Sequence, residues 1–166
     1  MKLSAKIEKA LNDQIHLELS SAYAYLGMAA YFGSSPFSGF AKWMEVQYKE
    51  ELGHAQRILK YVTERNGVVT LKAVAEPKTE FRSPLDVFRA SLGHEQKVSA
   101  SICSLYELAA TEKDFATVSF LKWFLDEQVE EEKNVTEIVT KLEMIGDNRN
   151  GLFQLDHHAG KRGEAG

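Results

Sequence analysis

Glutamates recur in this sequence where a helix should be apolar. Four long segments repeat hydrophobic residues in alternating steps of three and four, the pattern of a helix that buries one stripe against its neighbours. The first stripe reads Leu11, Ile15, Glu18, Ala22, Tyr25, Ala29. The second reads Phe37, Phe40, Met44, Gln47, Glu51, His54, Ile58, Tyr61, and the third Leu85, Phe88, Leu92, Glu95, Ser99, Ile102, Tyr106, Ala109. The fourth is Leu121, Phe124, Gln128, Glu131, Val135, Ile138, Leu142, Ile145. Each stripe carries a glutamate near its middle, so Glu18, Glu51, Glu95 and Glu131 can meet at one level of a bundle. His54 follows Glu51 by three residues and Gln128 precedes Glu131 by three, which keeps each pair on one helix face.

A buried, unpaired carboxylate is costly and normally takes up a proton, and four together also repel. No lysine or arginine lies in the four stripes to neutralise them. Two divalent cations would do so, since four negative charges balance two dications. Carboxylate-rich ligation with an imidazole suits a first-row transition metal better than calcium or magnesium. The competing reading is a water-filled polar layer, or a shifted register that turns these residues outward.

The elements that must position these groups follow from the punctuation of the chain. The first helix is expected from about Ser4 to Phe32, ending at Gly33-Ser34-Ser35-Pro36. Ser35 is placed to cap a second helix with Pro36 at its first position, running to about Arg65 and ending at Asn66-Gly67. Ser83 caps a third with Pro84 at its first position and Asp86 three residues on, where the helix dipole favours an acid, and this helix ends near Thr111. Asp114 caps the fourth, which runs to Ile145 and stops at Gly146. A short fifth helix is expected around Leu152 to His157, and Gly160 to Gly166 reads as a flexible tail. The first and third connections are short, so their flanking helices are antiparallel. The connection from Gly67 to Ser83 is long and contains Pro77. A helix of roughly 30 residues is about 45 Å long, and an extended segment of roughly 17 residues reaches about 56 Å. The connection can therefore cross the whole bundle. The expected fold is all-α: a four-helix bundle with one long crossover between helices two and three, in one domain over residues 1–166.

Bulk properties exclude several classes. The 166 residues carry a formal net charge of −4, which gives no reason to expect nucleic-acid binding. The segment Met1 to Asp13 has no uninterrupted apolar core for a signal peptide, and no stretch approaches the roughly 20 apolar residues that span a membrane. Cys103 is the only cysteine, so no internal disulfide or CxxC knuckle forms. Its neighbours Ile102 and Leu105 make it a buried, inert thiol on this reading. A cytoplasmic protein is expected.

The segments Leu17-Glu18-Leu19-Ser20-Ser21, Glu50-Glu51-Leu52-Gly53-His54-Ala55-Gln56-Arg57, His94-Glu95-Gln96 and Glu127-Gln128-Val129-Glu130-Glu131-Glu132-Lys133 together resemble the ferritin family, closest to its bacterial non-haem members. The resemblance spans roughly Ile7 to Gly146. It implies a first iron position at Glu18, Glu51 and His54, and a second completed by Glu95 and Glu131, with Glu51 bridging and Gln128 alongside. It implies a third iron position at Glu50, Glu127 and Glu130, for which a solvated charge cluster is the equal alternative. Tyr25 resembles the family's tyrosine beside the iron pair, either a hydrogen-bond donor or electron source or a core tyrosine. The implied activity is oxidation of Fe(II) by O2 or H2O2, with ferric mineral stored inside a shell of 24 identical subunits.

Two departures from the haem-binding relatives are visible. Leu52 stands where those carry methionine, so no haem is expected. Gln128-x-x-Glu131 replaces their second Glu-x-x-His, so the two iron positions should be unequal and the second weaker. His16, His94, His157 and His158 read as surface residues and Trp123 as a packing residue. The alternatives in function are a soluble di-iron oxidase or peroxidase that stores no iron, a miniature DNA-protecting ferritin, and a cage subunit with a dead site. The complete ligand set disfavours the last two.

Overall fold

A computed structural model describes residues 2–162. The chain forms five helices: α1 (Ala5–Gly33), α2 (Ser38–Glu64), α3 (Pro84–Thr111), α4 (Phe115–Ile145) and α5 (Arg149–Ala159). No strand occurs among the described residues. No described helix is long and apolar enough to cross a membrane.

Helix starts follow local chemistry. Ser4 accepts a hydrogen bond from the Ile7 amide, Ser83 from Asp86 and Asp114 from Thr117, and Pro84 opens α3. Each such cap contributes about 1 kcal/mol. Asn148 caps α5, which is longer than its sequence expectation at both ends. The start of α2 departs from expectation. Ser35 donates to the Phe32 carbonyl and accepts from Phe37, so the turn continues and the helix begins at Ser38 with no cap of its own. Asp156 of α5 supplies one instead, accepting from the Phe40 amide at 2.7 Å. The approach is so close that a Cβ on Gly39 would lie 1.8 Å from the Asp156 carbonyl oxygen. Only glycine lets α5 dock there.

Cross-helix contacts fix the directions. Phe32 meets Phe40, Tyr61 meets Thr117, Ser99 meets Glu132 and Arg89 meets Glu143, so α1/α2, α2/α4 and α3/α4 run antiparallel. Phe40 packs on Phe88 near the start of both α2 and α3, which are therefore parallel. The crossover makes this possible by running along α1. Asn12 binds the Val68 carbonyl and the Thr70 amide, Lys72 pairs with Asp13, Lys78 crosses at Gly27, and Phe81 meets Tyr31.

The apolar core comes in two parts. One surrounds Met28, Phe32, Phe40, Trp43, Met44, Phe88 and Leu142 at the α5 end. The other surrounds Ile7, Leu11, Ile15, Ile58, Ile102 and Leu121 at the opposite end. The glutamates lie between them.

The structure departs from the sequence expectations at several residues. On α3, Leu92, Ser99 and Tyr106 are only half-buried, while Ser91, Val98 and Leu105 are buried. The buried arc of this helix is turned toward α1, where Ser91 bonds Tyr25, rather than following an even seam. Cys103 is exposed. Its apolar neighbours occupy a different helix face, because adjacent residues point about 100° apart. His16 and His94 are half-buried rather than on the open surface, and Nδ1 of His16 is enclosed without a hydrogen-bond partner among the described residues. Gly160 to Arg162 form an ordered turn after α5, whereas the remainder of the expected tail, 163–166, lies outside the described residues.

Candidate metal centre

Glu18, Glu51, Glu95 and Glu131 come together at mid-height, one from each long helix, and with His54 and Gln128 they are at most 4% exposed. Carboxylate and imidazole atoms of Glu18, Glu51 and His54 all lie within 4.8 Å of one another, and so do those of His54, Glu127 and Glu131. His54 Nδ1 is 3.6 Å from Glu51 Oε2.

The two sides of this layer are solvated differently by the protein. Gln14 donates to Glu18 Oε1 at 2.8 Å and is held in turn by Ser101. Beyond that, Glu18 Oε2, both oxygens of Glu51 and Nδ1 of His54 are buried with no hydrogen-bond partner among the described residues. On the other side, Tyr25 donates to Glu95 Oε1 and contacts Ser91 at 2.9 Å. Gln128 Nε2 reaches Glu95 Oε2 at 3.2 Å and Ser99 at 3.3 Å. Gln47 donates to Glu131 Oε2 at 2.8 Å.

Burial is the first cause of every proton-affinity shift here. It raises Glu18 well above the usual carboxylate range, and the charge of Glu51 adds to this. Glu51 is likewise raised well above that range by burial and by Glu95. Glu95 is pushed up to about 7 by burial, against the opposing hydrogen bond from Tyr25. Glu131 is raised by burial, with Gln47 opposing. Burial and Glu95 push the Tyr25 phenol well above its ordinary value, so it stays protonated.

Such a cluster either holds protons or holds cations. Four buried atoms without partners, on three residues that are each a common metal ligand, fit a divalent cation in both charge and donor type. The same test fits iron, which takes carboxylate and imidazole ligands together.

The outward side of the layer is more open. Glu50, His54 and Glu127 line a surface pocket of about 530 Å³ with Arg57 and Trp123. Trp123 packs edge-on against His54 at 5.5 Å, with Arg57 over its face at 4.0 Å. Burial raises both Glu50 and Glu127 above the usual carboxylate range. Glu130 is exposed and does not line this pocket.

Sequence reasoning missed three groups. Gln14 precedes Glu18 by one turn on the same face, a spacing that was there to be used. Ser91 lay outside the assumed stripe. Arg162, after α5, was invisible: its guanidinium binds Gln47 Oε1 at 2.5 Å and Glu50 Oε2 at 2.6 Å, and lies 3.7 Å from Glu131 Oε2. A cation therefore does reach the layer, from outside the four stripes.

Comparison with known proteins agrees with this arrangement. Residues 8–145 match the family described as Ferritin-like domain. The bacterial non-heme ferritin of Staphylococcus aureus (strain USA300) is 42% identical over 160 residues, covering 96% of each chain. That of Staphylococcus haemolyticus (strain JCSC1435) is 41% identical over 160 residues, again 96% of each. Among solved structures, the open pore ferritin of the hyperthermophilic archaeon Archaeoglobus fulgidus superposes with a TM-score of 0.95 at 47% identity, covering 98% of this chain and 99% of that one. A bundle of this topology, a carboxylate layer of this composition and these likenesses lead to one conclusion: the chain belongs to the ferritin family.

Proposed function

We propose that this ferritin oxidises Fe(II) for storage and detoxification at the buried carboxylate layer, taking two irons per chain as substrate. Glu18, Glu51 and His54 would hold the first. Glu95 and Glu131 would hold the second, with Glu51 shared between them and Gln128 hydrogen-bonding alongside. The observation that carries this reading is the group of four buried, partnerless atoms on Glu18, Glu51 and His54. Leaving such atoms unmatched costs several kcal/mol, which a bound dication would reverse.

The chemistry balances simply. Each Fe(II) gives up one electron, so a pair reduces one O2 to H2O2 with two protons, or one H2O2 to two waters with two protons. Burial keeps protons on Glu18, Glu51 and Glu95. Iron entry must displace those protons, which releases them where reduced oxygen needs them. The protonated Tyr25 hydroxyl fixes Glu95 by donating to its Oε1, and it stands as a donor beside the proposed iron pair. Glu50 and Glu127, beside His54 on the open pocket, offer ferric iron a way out of the layer, with Glu130 as the more exposed third carboxylate of that route.

The fuller reading is a homo-oligomeric shell of 24 subunits in the cytoplasm, filled with ferric mineral. The test is aerobic addition of Fe(II) to the metal-free protein, followed by size exclusion with light scattering. The expected product is a particle of about 450 kDa, from 24 chains of 18.7 kDa, eluting together with hundreds of irons. A dimer holding about two irons per chain would instead make the protein a soluble di-iron oxidase or peroxidase.

A further inference from the structure

The Arg162 contact has no part in the chemistry above, yet it lies on the side of the layer assigned to the second iron. Arg162 follows α5 in a turn closed by its own amide bonding the Ala159 carbonyl at 3.1 Å. That turn is anchored, since Asp156 of α5 caps α2 and Gly39 lets the two backbones meet. From this base the guanidinium crosses the face of Trp43 at 4.5 Å to its centroid. One Nη donates to Gln47 Oε1 and the other to Glu50 Oε2. Gln47 in turn holds Glu131 Oε2, the oxygen that also lies 3.7 Å from the guanidinium.

We propose that Arg162 is a displaceable counter-cation for the second iron position, which holds Glu131, Gln47 and Glu50 in the metal-free chain and withdraws from Glu131 when iron binds there. The inference rests on the reading of the layer as an iron-oxidation site. Its physical basis is that a guanidinium and a dication compete for the same carboxylate and repel across it. Among the described residues the first position has no such competitor: Glu18 and Glu51 have no cation as a hydrogen-bond partner, and Glu51 Oε2 lies 3.6 Å from Nδ1 of His54. Arg162 therefore makes the two positions unequal, adding to the missing histidine at Gln128. Because the same guanidinium holds Glu50, its withdrawal also frees a carboxylate of the exit route at the moment iron reaches Glu131. Arg162 is thus a positioning residue that ties second-iron loading to the C-terminal turn.

The experiment is calorimetric titration of the assembled, metal-free protein with Zn(II), which reports binding without oxidation. In Arg162→Ala the first Zn(II) should bind within about twofold of wild type and the second about tenfold tighter, a change of about 1.4 kcal/mol. Arg162→Lys, which keeps the charge and loses the fork, should fall between the two. A second readout follows the guanidinium itself. In a Trp123→Phe background Trp43 is the only tryptophan, and its emission should change at the second equivalent of Zn(II). That change should disappear when Arg162→Ala is added. An unchanged or weakened second step, an equal gain at both steps, or the same Trp43 response without Arg162 would each overturn the proposal. If the wild-type protein binds no pair of Zn(II) ions per chain, the iron-site reading itself fails, and the inference falls with it.

Discussion

The two halves of the glutamate layer are built from the same residue type and are in opposite condition. On the α1/α2 side, Glu18, Glu51 and His54 carry four buried atoms with no partner among the described residues. On the α3/α4 side, both oxygens of Glu95 are hydrogen-bonded, by Tyr25 and Gln128, and Glu131 is held by Gln47 with Arg162 nearby. One half is an unmet demand for a cation, and the other is a finished polar network. A metal entering the first half gains coordination without breaking much. A metal entering the second must exchange existing hydrogen bonds for ligation. If each half holds a metal as proposed, this difference in how the protein solvates its carboxylates makes the two affinities unequal, beyond the count of ligands.

The largest effect should come from Glu51, the residue proposed to be shared by both irons. Glu51→Gln keeps the shape and removes one charge. Rapid Fe(II) oxidation in stopped-flow absorbance should fall more than about 100-fold, beyond the 10–100-fold typical of outer-shell partners. The same substitution should stabilise the metal-free protein by roughly 1–3 kcal/mol in urea unfolding near neutral pH, because it removes the cost of protonating a buried carboxylate on folding. Glu18→Ala and His54→Ala should slow oxidation greatly while the helical circular dichroism signal persists. A fully active Glu51→Gln would break the comparison outright.

Acidity gives the next largest effect. Glu95 is pushed up to about 7 in the fold, and Glu18 and Glu51 are raised well above the usual range. Between the unfolded carboxylate value and these folded values, the folded chain binds more protons than the unfolded one. Stability of the metal-free protein from this source is therefore full below about pH 4.3. It falls as pH rises through about 7, by at most about 1.4 kcal/mol per pH unit for each such group. Chemical denaturation across that range measures the slope, and Glu95→Gln should flatten it. Zn(II) affinity should run the other way and strengthen with pH, since binding expels the protons.

Smaller effects sharpen the second half. Tyr25→Phe removes the hydroxyl that serves Glu95 and Ser91, and should cost about 1–2 kcal/mol of stability and slow oxidation a few-fold. Glu127→Ala and Glu130→Ala should leave the first oxidation event within about twofold and alter repeated turnover. Glu127 should matter more, because it lines the pocket with His54 while Glu130 points to solvent. Repeated Fe(II) additions with stopped-flow detection separate the two phases.

The long helices, their caps at Ser83 and Asp114, and the glutamate in each seam were legible because each depends on a periodicity or a fixed local spacing. The parallel course of α2 and α3 was legible from the length of the crossover alone. What sequence could not supply came from contacts distant in the chain. Asp156 caps α2 across 116 positions of sequence, so the start of that helix was misplaced at Ser35. The turn of the α3 arc toward α1 depends on which neighbour a helix meets, which an even heptad seam does not encode. Arg162 reaches Glu50 across 112 positions, and nothing near it in sequence marks it as a partner of the layer. The exposure of Cys103 follows from its place around the helix, which its neighbours along the chain do not reveal.

The most direct test of the account is a stepwise addition of Fe(II) in air to the metal-free protein, with ferric absorbance followed through the first second. Wild type should show a fast phase whose amplitude stops growing at two Fe(II) per chain, and His54→Ala should lose that phase while keeping its assembly. A fast phase of wild-type rate and amplitude in His54→Ala would contradict the assignment of the buried layer as the site of iron oxidation.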